Sequence, residues 1–315
     1  MVTNHSQRKN SAATVSVASN TVLVVGKLSV GFTIGSVSVI SEAIHSGIDL
    51  VAALIAWWAV RASSVPADDE HPFGHGKFEN LSGAIEALLI LVAGVWIVIE
   101  AIKKLVHPTP LGGTALGVGI MAASAIINFF VSNWLMRVGR ATDSVALTAD
   151  AWHLRTDVYT SLGVMSGLAM VSIARRLAPE RSFAWIDPVV ALFVALFIVR
   201  TAIKLTIGAV NDLLDSRLPD EELGSIEKYM RGCSDVLGYH DLRTRKAGGW
   251  RFVEIHLELP PDMTVRDSHA IAHSVSLEIQ EQLPSTSVMV HVDPSDQDPP
   301  SSRRTGTRSS TEPPP

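Results

Sequence analysis

Apolar and polar positions divide the chain in two. From about residue 13 to 211 the apolar residues come in long runs, and from 212 onward the pattern is that of ordinary water-soluble protein. A bilayer core requires about 20 mostly apolar residues per helix. Six segments meet that requirement, at roughly 13–35, 38–62, 79–105, 112–136, 144–174 and 184–211. The first is the least apolar, since it carries Asn20 and Lys27. Strong breaks separate most of them: Pro66 to Gly76, Pro108 and Pro110, Arg137 to Asp143, and Pro179 to Arg181. Trp57, Trp58, Trp134 and Trp185 fall near predicted ends, where indoles favour the membrane interface. Gly163 and Gly167 form a small-xxx-small pair suited to close helix contact.

After Pro219 the period changes. Residues 220–232 read as a helix with a Glu-rich start. His240 to Lys246 and Trp250 to Leu259 read as strands joined by Gly248-Gly249. In the second strand Val253, Ile255, Leu257 and Leu259 alternate with Glu254, His256 and Glu258, the mark of a half-buried strand. Residues 265–283 then predict a helix, and Ser287 to Val292 a last strand. The expected architecture is a polar N-terminal tail (1–12), an all-α six-helix membrane domain (13–211) and a small αββαβ domain (212–295). The remainder, 296–315, is rich in Pro, Ser, Thr and Arg, a composition that predicts disorder.

Composition agrees with a membrane protein: 47% of residues are hydrophobic and only 18% charged, high and low for a soluble enzyme. The net charge of -5 argues against nucleic acid, which selects a basic footprint. Cys233 is the only cysteine, so neither an intrachain disulfide nor a thiolate metal cluster is expected. The polar stretch Asn4 to Asn10 lacks a signal-peptide pattern, so the first helix is expected to stay in place. Six spans put both termini on one side. Basic residues are nearly balanced between the two sets of loops, with Lys103, Lys104, Arg175, Arg176 and Arg181 set apart from the others, so the positive-inside rule gives little orientation. A soluble domain with no export signal is more easily left inside, which places the termini in the cytoplasm.

The chemistry lies inside the membrane. The second span contains His45-Ser46-Gly47-Ile48-Asp49, and the fifth contains His153-Leu154-Arg155-Thr156-Asp157. Positions i and i+4 share one helix face. Each span therefore offers an imidazole beside a carboxylate, and two such faces turned together make an N2O2 set suited to zinc. A single helical His is usually a packing residue. An Asp at a span centre is different: it costs about 2.5–3.5 kcal/mol on insertion scales and normally faces a cavity or a partner.

The paired HxxxD motifs resemble those of the cation diffusion facilitator family of metal/proton antiporters, bacterial zinc- and iron-efflux members in particular. The loop Asp68-Asp69-Glu70-His71-Pro72-Phe73-Gly74-His75-Gly76-Lys77 is similar to that family's loop between spans two and three. The likeness continues through Leu214-Asp215, Leu218-Pro219-Asp220-Glu221 and His240-Asp241-Leu242-Arg243-Thr244-Arg245, covering roughly residues 15–295. It implies a bacterial cytoplasmic-membrane homodimer that exports a divalent ion against protons. His45, Asp49, His153 and Asp157 would form the transport site. Some relatives carry Asp where this chain has His45, and the second imidazole favours zinc over iron or manganese. Asp68, His71 and His75 match a second metal site, whose two imidazoles share a face if the segment turns helically. His240, His256, His291 and Asp293, with His269 near them, match a metal cluster at the dimer interface of a metallochaperone-like domain. His273 reads as an ordinary surface residue. Lys77 and Asp215 resemble partners of a charge interlock at the membrane face of the dimer.

Two other readings exist. Glu42-Ala43-Ile44-His45 is an ExxH pattern and Asp150-Ala151-Trp152-His153 its near relative; with Asp49 and Asp157 they outline a membrane di-iron oxidase. Asp150 stands where that site needs Glu, and HExxH, P-loop and nucleophile-elbow motifs are missing, so no enzyme is expected. The third reading is a metal sensor without transport. The choice among zinc, cobalt, nickel, cadmium, iron and manganese stays open at this stage.

Overall fold

The computed structural model describes residues 2–34, 37–107, 115–177 and 185–295. The predicted breaks at Pro108 and Pro110 and at Pro179 to Arg181, and the tail from 296, lie outside the described residues. The chain forms two compact units, divided between Leu213 and Leu214.

The first unit is six long helices: α1 (Val2–Ile34), α2 (Val37–Ser63), α3 (Lys77–Val106), α4 (Ala115–Ala141), α5 (Val145–Leu177) and α6 (Ile186–Leu213). All exceed the length that a bilayer requires. Among the described residues, stretches of α1, α2, α3 and α6 are also apolar enough to cross on composition alone. Helix α5 carries Asp150, His153, Arg155 and Asp157, which lower its mean hydropathy. The apolar side chains of the outer helices point away from the protein. Leu88, Val92 and Trp96 on α3 and Phe193 and Leu196 on α6 are exposed, as residues bathed in lipid must be.

Helix α1 runs back through the polar stretch around Lys9, and the packing explains why. Ala12 and Ala13 are fully buried against Val60, Leu135 and Leu147. The Lys9 ammonium reaches Glu79 Oε1 at 2.9 Å. Glu79, itself buried, also accepts from Ser63 Oγ at 2.8 Å and from Ser144 Oγ. One carboxylate thus ties α1, the end of α2, the start of α3 and the N-terminus of α5. Ser144 Oγ also accepts from Leu147 N, as a helix N-cap does.

Close packing relies on small residues. A Cβ on Gly94 would lie 2.9 Å from Val199 Cγ2 of α6, and one on Gly163 would lie 3.0 Å from Val194 Cγ2. The indoles divide: Trp58 and Trp185 are exposed, as interfacial residues are, whereas Trp57 and Trp134 pack against the buried cluster around Leu135.

The second unit is α7 (Asp220–Gly232), β1 (Gly238–Ala247), β2 (Trp250–Leu259), α8 (Val265–Gln282) and β3 (Thr286–Pro294), the αββαβ order read from the sequence. The sheet order is β1-β2-β3; β1 pairs antiparallel with β2, and β2 parallel with β3. Gly248 takes a positive φ of 59° in the β1–β2 turn, a conformation that suits glycine. Val253, Ile255, Leu257 and Leu259 point to one face and pack with Leu223, Ile226 and Met230 of α7 and Val275 and Ile279 of α8. Strand alternation therefore turns Glu254, His256 and Glu258 to the opposite face.

Candidate metal centres

Helices α2 and α5 meet inside the first unit. His153 Nε2 lies 3.1 Å from Asp49 Oδ1, and both residues are buried. Asp49, His153 and Asp157 each offer one ligand atom within 4.8 Å of the others. The i, i+4 spacing does what it predicts on α5, where His153 and Asp157 both enter the group. His45 sits on α2 one turn before Asp49, but its side chain lies outside the described residues, as does that of Glu42. Asp150 is not part of the ligand group. It is buried, and its Oδ2 has no hydrogen-bond partner among the described residues.

Lys27 of α1 and Arg155 of α5, two basic residues inside the spans, have partners. Lys27 Nζ donates to Ser46 Oγ at 2.8 Å, and Arg155 donates to Asn133 Oδ1 at 2.9 Å. Residues that spacing alone did not single out also stand near the centre. Asn128 of α4 donates to Asp157 Oδ2 at 3.5 Å. Glu86 of α3 is fully buried and accepts from Ser82 at 3.2 Å. The signal for Glu86 was available, since an ionisable residue inside an apolar span is costly and rarely idle. A single Asn in a helix carries no comparable signal.

The loop residues Asp68, His71 and His75 also converge, with ligand atoms within 4.8 Å of one another. The segment is not helical, so a helical turn is not what aligns the imidazoles. A turn does so instead: Gly74 N donates to His71 O at 2.9 Å, and Gly74 takes φ +80°. The ring centroids of His71 and His75 are 4.3 Å apart. The backbone N–H of His71 donates to Asp68 Oδ1 at 2.7 Å and that of Glu70 at 3.1 Å. These bonds, led by the one from His71, and the nearby imidazoles hold the Asp68 carboxyl below the usual carboxylate range.

In the second unit strand register builds the cluster. His240 pairs with His256 across β1–β2, and His256 with His291 across β2–β3. The three imidazoles stand in a row on the sheet face opposite the helices. Asp293 joins them, with Oδ2 2.9 Å from His256 Nδ1 and 3.2 Å from His240 Nε2, and Oδ1 3.2 Å from His291 Nε2. The hydrogen bond from His256, with the other two imidazoles, lowers the Asp293 carboxyl. Asp241, which the sequence did not single out, lies beside His240 and His256. His269 does not join the ligand groups found among the described residues; on α8 it stacks with His273, ring centroids 6.2 Å apart.

Lys77 and Asp215 belong to different units. Lys77 Nζ reaches the Leu213 carbonyl at 3.5 Å, and Asp215 pairs with Arg245 at 3.4 Å.

Both units match known protein families. Residues 13–214 match the cation efflux transmembrane domain, and residues 218–295 match the cation efflux protein cytoplasmic domain. The chain belongs to the cation diffusion facilitator family. Among its relatives, an uncharacterized transporter of Synechocystis is 34% identical over 82% of this chain and 82% of its own. The cation-efflux pump FieF of Salmonella newport is 32% identical over 90% of this chain and 92% of its own. A solved zinc-form structure of a proposed zinc transporter, CzrB, is 31% identical, covers 27% of this chain and 97% of its own, and superposes with a TM-score of only 0.24. As a cation diffusion facilitator, the protein is a membrane transporter that moves cations outward.

Proposed function

We propose that this cation diffusion facilitator exports a divalent transition metal, zinc first among candidates, in exchange for protons and as a homodimer. One observation carries the reading: Asp49, His153 and Asp157 bring ligand atoms within 4.8 Å of one another inside the membrane domain. His45, one turn from Asp49, completes a His2Asp2 set. Nitrogen and carboxylate ligands in a tetrahedral arrangement suit zinc. Two carboxylates offset the charge of one divalent ion, which lowers the cost of holding it away from water.

Proton exchange follows from ligand chemistry. Metal binds the deprotonated forms of His and Asp, so loading on the cytoplasmic side releases protons. When the helices turn the site outward, protons re-enter the imidazoles and loosen the ion. Asp68, His71 and His75 hold a second ion at the membrane rim. His240, His256, His291 and Asp293 bind metal on the open sheet face, where exposed Met289 gives a second copy an apolar foothold. Lys77 and Asp215 fix the orientation of the two halves; an exposed pair adds only about 0–1 kcal/mol. Both termini and the αββαβ domain face the cytoplasm of a bacterial cell.

The test uses proteoliposomes with a luminal pH dye. Zinc entering the lumen should alkalinise it in step with metal flux. Transport indifferent to an imposed pH gradient defeats the exchange, and metal-dependent dimer closure without flux points instead to a sensor.

A further inference from the structure

Helix α4 presents two amides to α5. Asn133 uses its oxygen to accept from Arg155, and Asn128 uses its nitrogen to donate to Asp157 Oδ2 at 3.5 Å. Asn128 is 5% exposed, and its Oδ1 has no hydrogen-bond partner among the described residues. An amide kept merely to join two helices would be expected to use both its donor and its acceptor when buried. Here the bond is made by the nitrogen, and its partner is a carboxylate of the candidate transport site.

A carboxylate has two oxygens and rotates unless one is held. A donor on Oδ2 of Asp157 restrains that rotation and so the plane in which the carboxylate is offered. We propose that Asn128 is a positioning residue of the transport site, holding Asp157 in the orientation that receives the cation. The proposal rests on the reading of Asp49, His153 and Asp157 as the transport site. It adds a residue from a helix that supplies no ligand to that set. Groups that orient metal ligands typically change metal affinity by about 10–100-fold when removed.

The experiment is the zinc dependence of flux into proteoliposomes for full-length Asn128→Leu, which keeps the branched shape without polar atoms, and for Asn128→Ala. Size-exclusion elution in detergent selects the variants that fold. The expected result is a half-saturating zinc concentration raised about 10–100-fold, with maximal flux within about twofold of wild type. Unchanged half-saturation in a folded variant overturns the proposal, whether maximal flux is kept or falls. Asp157→Ala in the same assay separates the two levels. If it transports like wild type, the site reading itself fails; if it is inactive while Asn128→Leu is normal, only the positioning role fails.

Discussion

His153 Nε2 and Asp49 Oδ1 lie 3.1 Å apart although 104 positions separate the two residues along the chain. Only the packing of α5 against α2 brings them together. Neither residue has an obvious reason to be buried in an apolar bundle except its partner and what the two can hold. On the proposed reading their pairing makes a place for a cation, with Asp157 one turn further along α5.

The Glu79 carboxylate makes a first prediction. Asp49 stands 14 positions before Ser63 and His153 nine after Ser144, so the tie lies roughly 13–21 Å along the helices from the candidate metal centre. Replacing Glu79 by Ala leaves the Lys9 ammonium, 13% exposed, without its counter-charge. Breaking a buried pair from one side costs about 3–5 kcal/mol. The variant should melt at a lower temperature in detergent, and adding Lys9→Met should restore part of the loss. Equal melting of Glu79→Ala and wild type would show that the tie does not hold the helices.

Gly94 tests how tightly α3 and α6 pack. Gly94→Val adds a Cβ 2.9 Å from Val199 Cγ2 and two methyl groups beyond it. Overpacking of this kind costs about 1–3 kcal/mol. Thermal unfolding should register it, and combining the change with Val199→Ala should recover stability. If Val199→Ala gives no recovery, the contact lies elsewhere.

Asp293 makes a prediction with a sign in pH. Hydrogen bonding from His256 and the neighbouring imidazoles lower its carboxyl below the ordinary value of about 3.9. A lowered carboxyl contributes stability above its unfolded value and loses that contribution as pH falls through the folded one. The carboxylate therefore stays a ligand until below about pH 4. Zinc lost from the proposed cluster at higher pH is then not released by protonation of Asp293. Asp293→Asn should weaken zinc binding at pH 7 yet leave the midpoint of acid release above pH 4 nearly unmoved, as read by a chromophoric zinc chelator. A midpoint that shifts with Asp293 would assign acid release to the carboxylate.

Much of this was legible in the sequence because the physics behind it is local. Lipid demands long apolar runs, so the membrane helices were readable, and the alternation in Val253 to Leu259 gave β2 to the residue. The i, i+4 spacing of His153 and Asp157 announced a shared face. The polar start of α1 was not readable as helix, because its justification is Glu79, 70 positions away. The loop histidines meet through a turn at Gly74, which no periodicity announces, since a positive φ leaves none. The row of His240, His256 and His291 depends on strand register, which pairs distant segments. Asn128 stands out only through its bond to Asp157 on another helix, and no spacing encodes that.

Zinc uptake by full-length protein in proteoliposomes, compared among wild type, Asp49→Ala and His153→Ala, addresses the meeting of α2 and α5 most directly. Each variant should elute as a folded species and show flux no greater than empty vesicles. Wild-type flux in either one would contradict the assignment of that pair as the seat of the transported ion.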